Sequence, residues 1–338
     1  MRRKPVLYVA AALLAAFTYD AVLRSALLGI VTLPSIPGGL KVLTAILALF
    51  SLTHAWYSLG GRLTVAFFAL GAAISWAYEQ AGISTGLVFG PYHYTDYLGS
   101  RLGDVPVLIP LAWFMMIYPS YVIANLLLDG RPAGTSGTPG GLGRLVALAA
   151  ASAVVMTAWD LVVDPILSGP AVKAWIWETG GPYFGIPVQN YFGWLLTTFT
   201  VYLAYRAVER RWGVAEVRAA GGARSPLGAA ASPRGEAASP RGAAASPRGA
   251  AAIGPAALGP AALGPAALGP VAASLPVAAY GLMLVADLLS GVAPAGLALI
   301  GPVVMGVPFA AAAWRLRALF RGAPRGFSAA AARASAEW

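Results

Sequence analysis

The sequence contains no cysteine and only two histidines, His54 and His93, among its 338 residues. Without cysteine the chain can form no disulfide, thiolate nucleophile, zinc–thiolate site or iron–sulfur cluster. Two histidines are too few for the di-iron centre of a non-haem hydroxylase or desaturase, and they offer no convincing set of haem ligands. The sequence also lacks a P-loop and a strand-linked GxGxxG motif, the usual marks of nucleotide cofactors. We therefore predict a site without metal or cofactor.

Charge is equally scarce, because only 11% of the residues are charged while 58% are hydrophobic, and the mean hydropathy is +0.70. A soluble core of this size would use far fewer apolar side chains. Crossing a bilayer as helix takes roughly 20 apolar residues. We therefore predict an all-α, polytopic membrane helical bundle with about eight transmembrane helices. The predicted segments are 6–28, 40–59, 63–79, 106–128, 143–163, 190–208, 271–290 and 295–314.

The net charge of +10 is distributed unevenly between the two sides of this bundle. If the N-terminus is cytoplasmic, all but four of the 23 basic residues fall on the cytoplasmic side. The exceptions are Arg24, Lys41, Arg101 and Lys173. This is the positive-inside pattern, and an even number of helices returns both termini to the cytoplasm. The charge therefore predicts a multi-pass protein of the cytoplasmic (inner) membrane whose partner is the lipid bilayer and not nucleic acid.

A repetitive segment divides the chain. Residues 225–252 read SPLGAAA, SPRGEAA, SPRGAAA, SPRGAAA, and GPAAL-type pentads follow. Regularly spaced proline prevents a continuous helix, and alanine and glycine bury too little apolar surface to fold. The predicted organisation is a transmembrane catalytic body (5–212), a disordered repeat linker (213–270), a C-terminal transmembrane helix pair (271–316) and a flexible tail (317–338).

Eight of the 13 acidic residues fall at or near the predicted non-cytoplasmic ends of helices. They are Asp20, Glu79, Asp96, Asp104, Asp160, Asp164, Glu178 and Asp287. A carboxylate near hydrocarbon is costly unless it has a partner, a proton or water. Asp104 and Glu178 fit solvated loop acids, and Asp20 stands four residues before Arg24, a spacing that suits an ion pair.

Asp160 and Asp164, in the segment TAWDLVVDP, are the strongest candidates for chemistry. They stand one helical turn apart, immediately before Pro165, where we expect the helix to end. Two carboxyls this close resist ionising together, so one of them keeps a proton at neutral pH. The structural alternative is that Asp160 pairs with a neighbouring helix, for instance through Arg24, while Asp164 faces water.

Two loops rich in glycine, proline and tyrosine carry further polar residues. Residues 90–99 read GPYHYTDYLG, and the segment WIWETGGPYFGIPVQNYFGW repeats the Gly-Pro-Tyr turn. Such loops can fold back at the membrane interface where protein or a cavity satisfies their backbone. We expect His93 to be a hydrogen-bonded loop residue and not a metal ligand.

Three blocks of the sequence resemble a known family. EQAGISTGLVFGPYHYTDYLGSRLGDVPVLIPLAWFMMIY (79–118), AWDLVVDP (158–165) and WIWETGGPYFGIPVQNYFGW (175–194) are similar to membrane-bound carotenoid biosynthesis proteins, a group that includes γ-carotene 1′-hydroxylases and bisanhydrobacterioruberin hydratases. The resemblance covers about 40–210. It implies addition of water across the C1′,2′ double bond of an acyclic ψ-end group, on a γ-carotene or lycopene-like substrate. It also makes other enzymes of carotenoid biosynthesis candidate partners.

The residues allow this chemistry without a cofactor. A protonated carboxyl in a dry pocket can protonate an alkene, aromatic faces can stabilise the carbocation, and water can capture it as a tertiary alcohol. In this hypothesis Asp160 or Asp164 donates the proton, and Glu79 or Asp96 orients or deprotonates the attacking water. The expected substrate-binding residues are Tyr92, Tyr94, Trp113, Trp177, Tyr183 and Asn190.

Two other functions stay open at this point. A carotenoid end-group cyclase would form the same cation and trap it with an internal double bond. A carotenoid-binding, lipid-binding or transport membrane protein would use the same apolar surfaces without catalysis, although transporters usually show midplane acids and internal repeats. A diphosphate-using prenyltransferase would need several bases beside its acids, and the acidic side of this chain has few.

Overall fold

The computed structural model describes residues 4–132, 141–222 and 269–321. Most of the predicted linker and most of the predicted tail lie outside these residues. The described helices are α1 (Lys4–Ala26, with a π-helical stretch at Thr18–Leu23), α2 (Gly39–Leu59), α3 (Gly61–Thr85), α4 (Leu108–Asp129), α5 (Leu142–Leu167), α6 (Val188–Gly222), α7 (Gly269–Leu288) and α8 (Leu297–Arg321, interrupted at Met305). The short strands are β1 (Tyr92–Tyr94), β2 (Arg101–Leu102), β3 (Val105–Pro106) and β4 (Trp175–Trp177).

Each segment predicted to cross the membrane coincides with one of these helices. Within the described residues, seven helices are long and apolar enough to span a bilayer, all but α6. Helix α6 contains the predicted segment 190–208, and its second half carries charged side chains. It packs along α5 and α3 as part of the same bundle. The prediction of an all-α, multi-pass membrane helical bundle is confirmed.

Two predicted boundaries differ from the structure. Helix α6 continues to Gly222, beyond residue 212, because no proline occurs before Pro226 and the intervening residues favour helix. Helix α8 likewise continues to Arg321.

The prediction that Pro165 ends its helix is wrong, since α5 continues through it to Leu167. A proline inside a helix leaves the carbonyl four residues earlier without its N–H donor. Here that carbonyl belongs to Leu161, and the hydroxyl of Tyr183 donates to it at 2.8 Å. A side chain from the second polar loop therefore replaces the missing backbone hydrogen bond. Asp164 thus lies inside an unbroken helix and not at its end.

Helix α4 occupies the centre of the bundle and is buried along most of its length. It packs against α2, α3, α5, α7 and α8. Pro119 lies inside this helix, and the carbonyl that it frees, that of Met115, accepts a hydrogen bond from Ser51 Oγ at 2.8 Å. Neighbouring side chains can satisfy such carbonyls inside a membrane where water cannot.

The C-terminal helices dock on the body of the bundle. In α7 the carbonyl of Ala272, four residues before Pro276, lies 2.8 Å from His54 Nε2, which therefore donates to it. Farther along the same helix, the hydroxyl of Tyr280 donates to the carbonyl of Val155 on α5 at 2.8 Å. These buried contacts fix α7 against α2 and α5, so the predicted helix pair is part of the same packed structure as residues 4–222.

The two polar loops meet in a small antiparallel sheet. Strand β1 pairs with β4 in the register Tyr92 with Trp177, His93 with Ile176, and Tyr94 with Trp175. Side chains alternate between the two faces of a strand. Tyr92 and Tyr94 are consequently buried on one face, while His93 is exposed on the other. The sheet lies at the end of the bundle where α3 and α5 end and α4 and α6 begin.

Candidate active site

A cavity of about 390 Å³ lies at this end of the bundle. Its walls come from the C-terminal parts of α1, α3, α5 and α7, from the N-terminal parts of α2, α4 and α6, and from β1 and β4. Most of the lining is apolar or aromatic. Its acidic and basic side chains are five carboxyls and one guanidinium: Asp20, Glu79, Asp160, Asp164, Asp287 and Arg24.

Glu79, near the end of α3, accepts hydrogen bonds from three aromatic donors. The hydroxyl groups of Tyr92 and Tyr94 both donate to its Oε2, the latter at 2.8 Å. Trp113 Nε1, from α4, donates to its Oε1 at 3.0 Å. The period of two residues along β1 brings both hydroxyl groups to the same carboxyl group.

The two tyrosines act only as donors at this position. Burial, followed by the nearby charge of Glu79, raises the pKa of Tyr92 and of Tyr94 well above the ordinary value of about 10. Their hydroxyl groups therefore stay protonated at neutral pH. A carboxyl surrounded by three donors and no acceptor is matched to its ionised form, which only accepts hydrogen bonds. The three donors therefore stabilise the ionised form of Glu79 against the cost of its burial.

Asp164 has a matching environment supplied by β4. Trp175 Nε1 donates to its Oδ1 at 2.8 Å, and Trp177 Nε1 donates to the same oxygen at 3.3 Å. Asn190, in the first turn of α6, donates to its Oδ2 at 2.8 Å. Asp164, like Glu79, is 5% exposed or less and has three donors. It is matched to the ionised form for the same reason.

Asp160 differs from Asp164 in its hydrogen bonds. The same Asn190 nitrogen donates to Asp160 Oδ2 at 2.9 Å. Among the residues that the structure describes, this is the single hydrogen bond to the Asp160 carboxyl, which is 1% exposed. A buried carboxyl with one donor, next to a carboxylate with three, is the member of the pair that is cheaper to keep protonated.

Tryptophan rings form the wall beside the carboxyls. Trp113 and Trp194 stack with ring centroids 4.1 Å apart and planes within 8° of parallel. Trp159 meets Trp194 edge-on, with centroids 6.0 Å apart. All three line the cavity. Aromatic faces attract cations, so a positive charge that develops in this cavity would be stabilised by its walls.

The π-helical stretch of α1 brings a further acid to the cavity. Asp20 Oδ1 accepts a hydrogen bond from the backbone N–H of Ile36 at 2.7 Å and lies 3.3 Å from Arg24 Nε. This confirms the ion pair expected from the spacing of four residues. Arg24 is therefore committed to Asp20, and the alternative in which it pairs with Asp160 is not seen.

The family model for carotenoid biosynthesis proteins matches residues 40–226, more than half of the chain. The chain belongs to this family. The matched region contains every carboxyl, indole, hydroxyl and amide group of the Glu79 and Asp160–Asp164 clusters. It excludes α1 and α7, which supply Asp20 and Asp287 to the same cavity.

One similar carotenoid biosynthesis protein is the bisanhydrobacterioruberin hydratase of Haloarcula japonica, which is 37% identical over 124 residues. The aligned region is 36% of this chain and 38% of the hydratase. The chain therefore matches less than half the length of this relative. No solved structure matches the chain.

The structure brings together most of the residues singled out from the sequence. The cavity is lined by Glu79, Tyr92, Tyr94, Trp113, Asp160, Asp164, Trp177 and Asn190. Tyr183 is not among the residues that line the cavity; its hydroxyl donates to the Leu161 carbonyl of α5, and burial raises its pKa to about 12. His93 contacts Glu178 at 3.2 Å on the exposed face of β1, which agrees with the expected loop role.

Asp96 is not brought to the cavity. Its side chain is fully exposed in the turn after β1 and contacts Arg101 Nη2 at 3.1 Å. Tyr92, Tyr94 and Asp96 alternate along the sequence, but β1 ends at Tyr94 and the chain turns into a 3₁₀ helix at Asp96–Leu98. This change of backbone conformation ends the two-residue period and rotates the carboxyl into solvent.

Several cavity residues were missed by sequence reasoning, namely Trp159, Trp175, Trp194 and Asp287. Trp175 had a recognisable signal, because WIW alternates in the same way as YHY and predicts a partner strand. Asp287 was placed from the sequence among the acids at the non-cytoplasmic ends of helices, but its approach to the cavity depends on how α7 docks. Within the described ranges, no group of three or more His, Cys, Asp or Glu side chains is arranged to hold a metal ion. The absence of a cofactor stays a prediction.

Proposed function

We propose that this protein is a carotenoid hydratase that adds water to the C1′,2′ double bond of an acyclic ψ-end group by acid catalysis. The observation that carries the proposal is the paired carboxyl site, in which Asn190 joins a donor-poor Asp160 to a donor-rich Asp164 inside an aromatic cavity. Membership of the carotenoid biosynthesis family and the similarity to a hydratase support a carotenoid as the substrate.

The reaction begins with the proton of Asp160. Transfer of this proton to C2′ forms a C–H bond, uses the electron pair of the double bond and leaves a tertiary cation at C1′. Asp164 and Glu79 stay ionised near the cation, and the indoles of Trp113 and Trp194 line the cavity. Preorganised charges and ring faces of this kind stabilise a cation without reorganising during the reaction.

Water then completes the addition. Its oxygen forms a bond to C1′, and the proton that it releases passes to a carboxylate of the cavity and back to Asp160. The product is a tertiary alcohol, and the enzyme returns to its starting state. Proton transfer by a positioned carboxyl typically accelerates a reaction about 100- to 10,000-fold.

The size of the cavity supports binding of one end of the substrate. A volume of about 390 Å³ is at the lower end of the range of roughly 300–1,000 Å³ for small-molecule sites. It suits an end group of a polyene, while the remaining chain would lie along apolar surface between helices. A bilayer core of about 30 Å is comparable in length to such a polyene.

We infer that the cavity opens toward the non-cytoplasmic side of the cytoplasmic membrane and that both termini are cytoplasmic. Basic residues gather at the opposite end of the bundle, as in Arg62, Arg144 and the last turns of α8. This distribution follows the positive-inside rule. Accessibility labelling of single cysteines introduced at exposed positions on each end, such as Asp104 and Arg144, tests the orientation.

The function is tested by expressing the full chain in a host that accumulates lycopene or γ-carotene and measuring the masses of the pigments. We expect a product heavier than its precursor by one water. A product of unchanged mass with a new ring would identify a cyclase. Unaltered pigment that copurifies with the protein would indicate a binding or transport protein.

A further inference from the structure

Asp287 is a carboxyl of the cavity that the mechanism above leaves unused. It lies on α7, near the end of the helix, and is 9% exposed. Its Oδ2 is completely buried and accepts no hydrogen bond from the described residues. The other four acids of the cavity each accept at least one hydrogen bond.

An unpartnered carboxyl is expensive at this depth, because burial removes its water without replacing the hydrogen bonds. Two firm contacts of α7, from His54 to Ala272 and from Tyr280 to Val155, hold the helix in place. The packing of α7 against its neighbours therefore places Asp287 in the lining of the cavity. Buried polar groups that lack a partner in the protein are the ones that bound water or a ligand satisfies.

One neighbour of Asp287 is suited to this role. The buried indole N–H of Trp159 lies close enough to the carboxyl to interact with its charge, but it makes no hydrogen bond of ordinary geometry to a described residue. This indole and a bound water are the donors that would stabilise a carboxylate at Asp287, whereas Asp160 has one donor and lies beside the Asp164 carboxylate. Trp159 and Asp160 are neighbours on α5, whereas Asp287 lies on α7. The proposed proton donor and Asp287 therefore reach the cavity from different helices.

We propose that Asp287 is the residue that binds the attacking water and takes its proton. This inference rests on the proposed hydration. As the water oxygen bonds to C1′, one O–H bond of the water breaks and the proton passes to the Asp287 carboxylate. Exchange through water in the cavity returns that proton to Asp160, which restores both groups. The C-terminal helices, outside the matched family region, thereby complete the site.

The cation has two fates that can be measured separately, capture by water and return to substrate. If the water is poorly held, a cation formed by Asp160 loses a proton from C2′ back to the Asp160 carboxylate and becomes substrate again. In deuterated water the proton on Asp160 is replaced by deuterium, so this return leaves deuterium at C2′ of the recovered substrate. Hydration and exchange thus report separately on water capture and on protonation.

The test uses membranes that contain the full-length chain, an acyclic carotenoid and deuterated water. Asp287→Asn and Asp287→Ala are compared with the parent, with Asp287→Glu as the conservative variant and with Asp104→Asn as a control. Asp104 is an exposed acid at the same end of the bundle that does not line the cavity. The amount of each variant in the membrane is measured alongside.

We expect Asp287→Asn and Asp287→Ala to lower hydration about 100-fold or more, the range of a general base. Deuterium should appear in the recovered substrate at the parental rate of protonation or faster, Asp287→Glu should recover part of the hydration, and Asp104→Asn should match the parent. Parental hydration in Asp287→Asn would overturn the assignment. So would a parallel loss of hydration and exchange, since that marks a general defect of the site. If the parent itself yields neither product nor exchange, the proposed function fails and this assignment with it.

Discussion

A single nitrogen, Nδ2 of Asn190, donates hydrogen bonds to Oδ2 of both Asp160 and Asp164, at 2.9 and 2.8 Å. The amide has two N–H groups, so this arrangement uses its full donor capacity on the two carboxyls. It joins the first turn of α6 to the last turns of α5. The bridge fixes the distance between the carboxyls while leaving Asp160 short of donors compared with Asp164.

Replacement of Asn190 by leucine should therefore impair catalysis. A hydrogen bond to a charged group contributes about 1.5–3 kcal/mol, and every 1.4 kcal/mol is about tenfold, so we expect a rate about 10- to 100-fold lower. The measurement is formation of hydrated carotenoid per amount of protein in membranes. Gln189→Leu is the matched control, because the neighbouring amide binds only the backbone carbonyls of Gly86 and Leu87. Equal effects of the two substitutions would argue against the bridge.

Asp96→Asn should leave the hydration rate unchanged, within about twofold, because surface substitutions away from a site have small effects. Its side chain is fully exposed and contacts only the Arg101 guanidinium among the described side chains. The comparison is Asp160→Asn, the same chemical change inside the cavity. A loss in Asp96→Asn as large as in Asp160→Asn would return Asp96 to the site, as the sequence alone suggested.

Trp175→Phe and Trp177→Phe remove one N–H donor each from Asp164 while keeping an aromatic ring on β4. The bond from Trp175 is 2.8 Å long and that from Trp177 is 3.3 Å, so Trp175→Phe should be the more harmful. We expect about a tenfold lower rate for Trp175→Phe and a smaller decrease for Trp177→Phe. Initial rates at saturating substrate provide the comparison. The reverse order would contradict the hydrogen-bond geometry at Asp164.

Gly193→Ala should destabilise the protein at the junction of α6 and the first polar loop. A Cβ at this position would lie 2.5 Å from the carbonyl oxygen of Val88, a backbone atom that cannot move alone. Gly143→Ala is the control, since a Cβ there meets nothing within 4 Å. Alanine stabilises an exposed helix by about 0.5–1 kcal/mol over glycine. Thermal unfolding in detergent should therefore fall for Gly193→Ala and stay equal or rise for Gly143→Ala.

The membrane helices could be predicted from the sequence because their signal is local. The hydropathy of a segment such as α4 or α5 depends only on its own residues and not on what it packs against. The effect of Pro165 was an exception to this local signal. Pro165 was expected to stop α5, and the sequence around it gives no sign that Tyr183 would satisfy the freed Leu161 carbonyl.

The candidate site could be predicted only in part, because its remaining features depend on contacts between distant segments. Asp160 and Asp164 were recognisable from their spacing, and Glu79 from its place at the end of a helix. The pairing of Tyr94 with Trp175 joins loops far apart in the chain, and each strand is only three residues long. The position of Asp287 follows from the docking of α7, to which no short pattern corresponds.

In the proposed reaction, Asp160 holds the proton that is transferred to the double bond. The decisive experiment uses the Asp160→Asn variant, expressed at the parental level, with an acyclic carotenoid in deuterated water. We expect this variant to give neither hydrated product nor deuterium in the recovered carotenoid, while Asp104→Asn behaves like the parent. Hydration or deuterium incorporation at the parental rate in Asp160→Asn would contradict this role of Asp160.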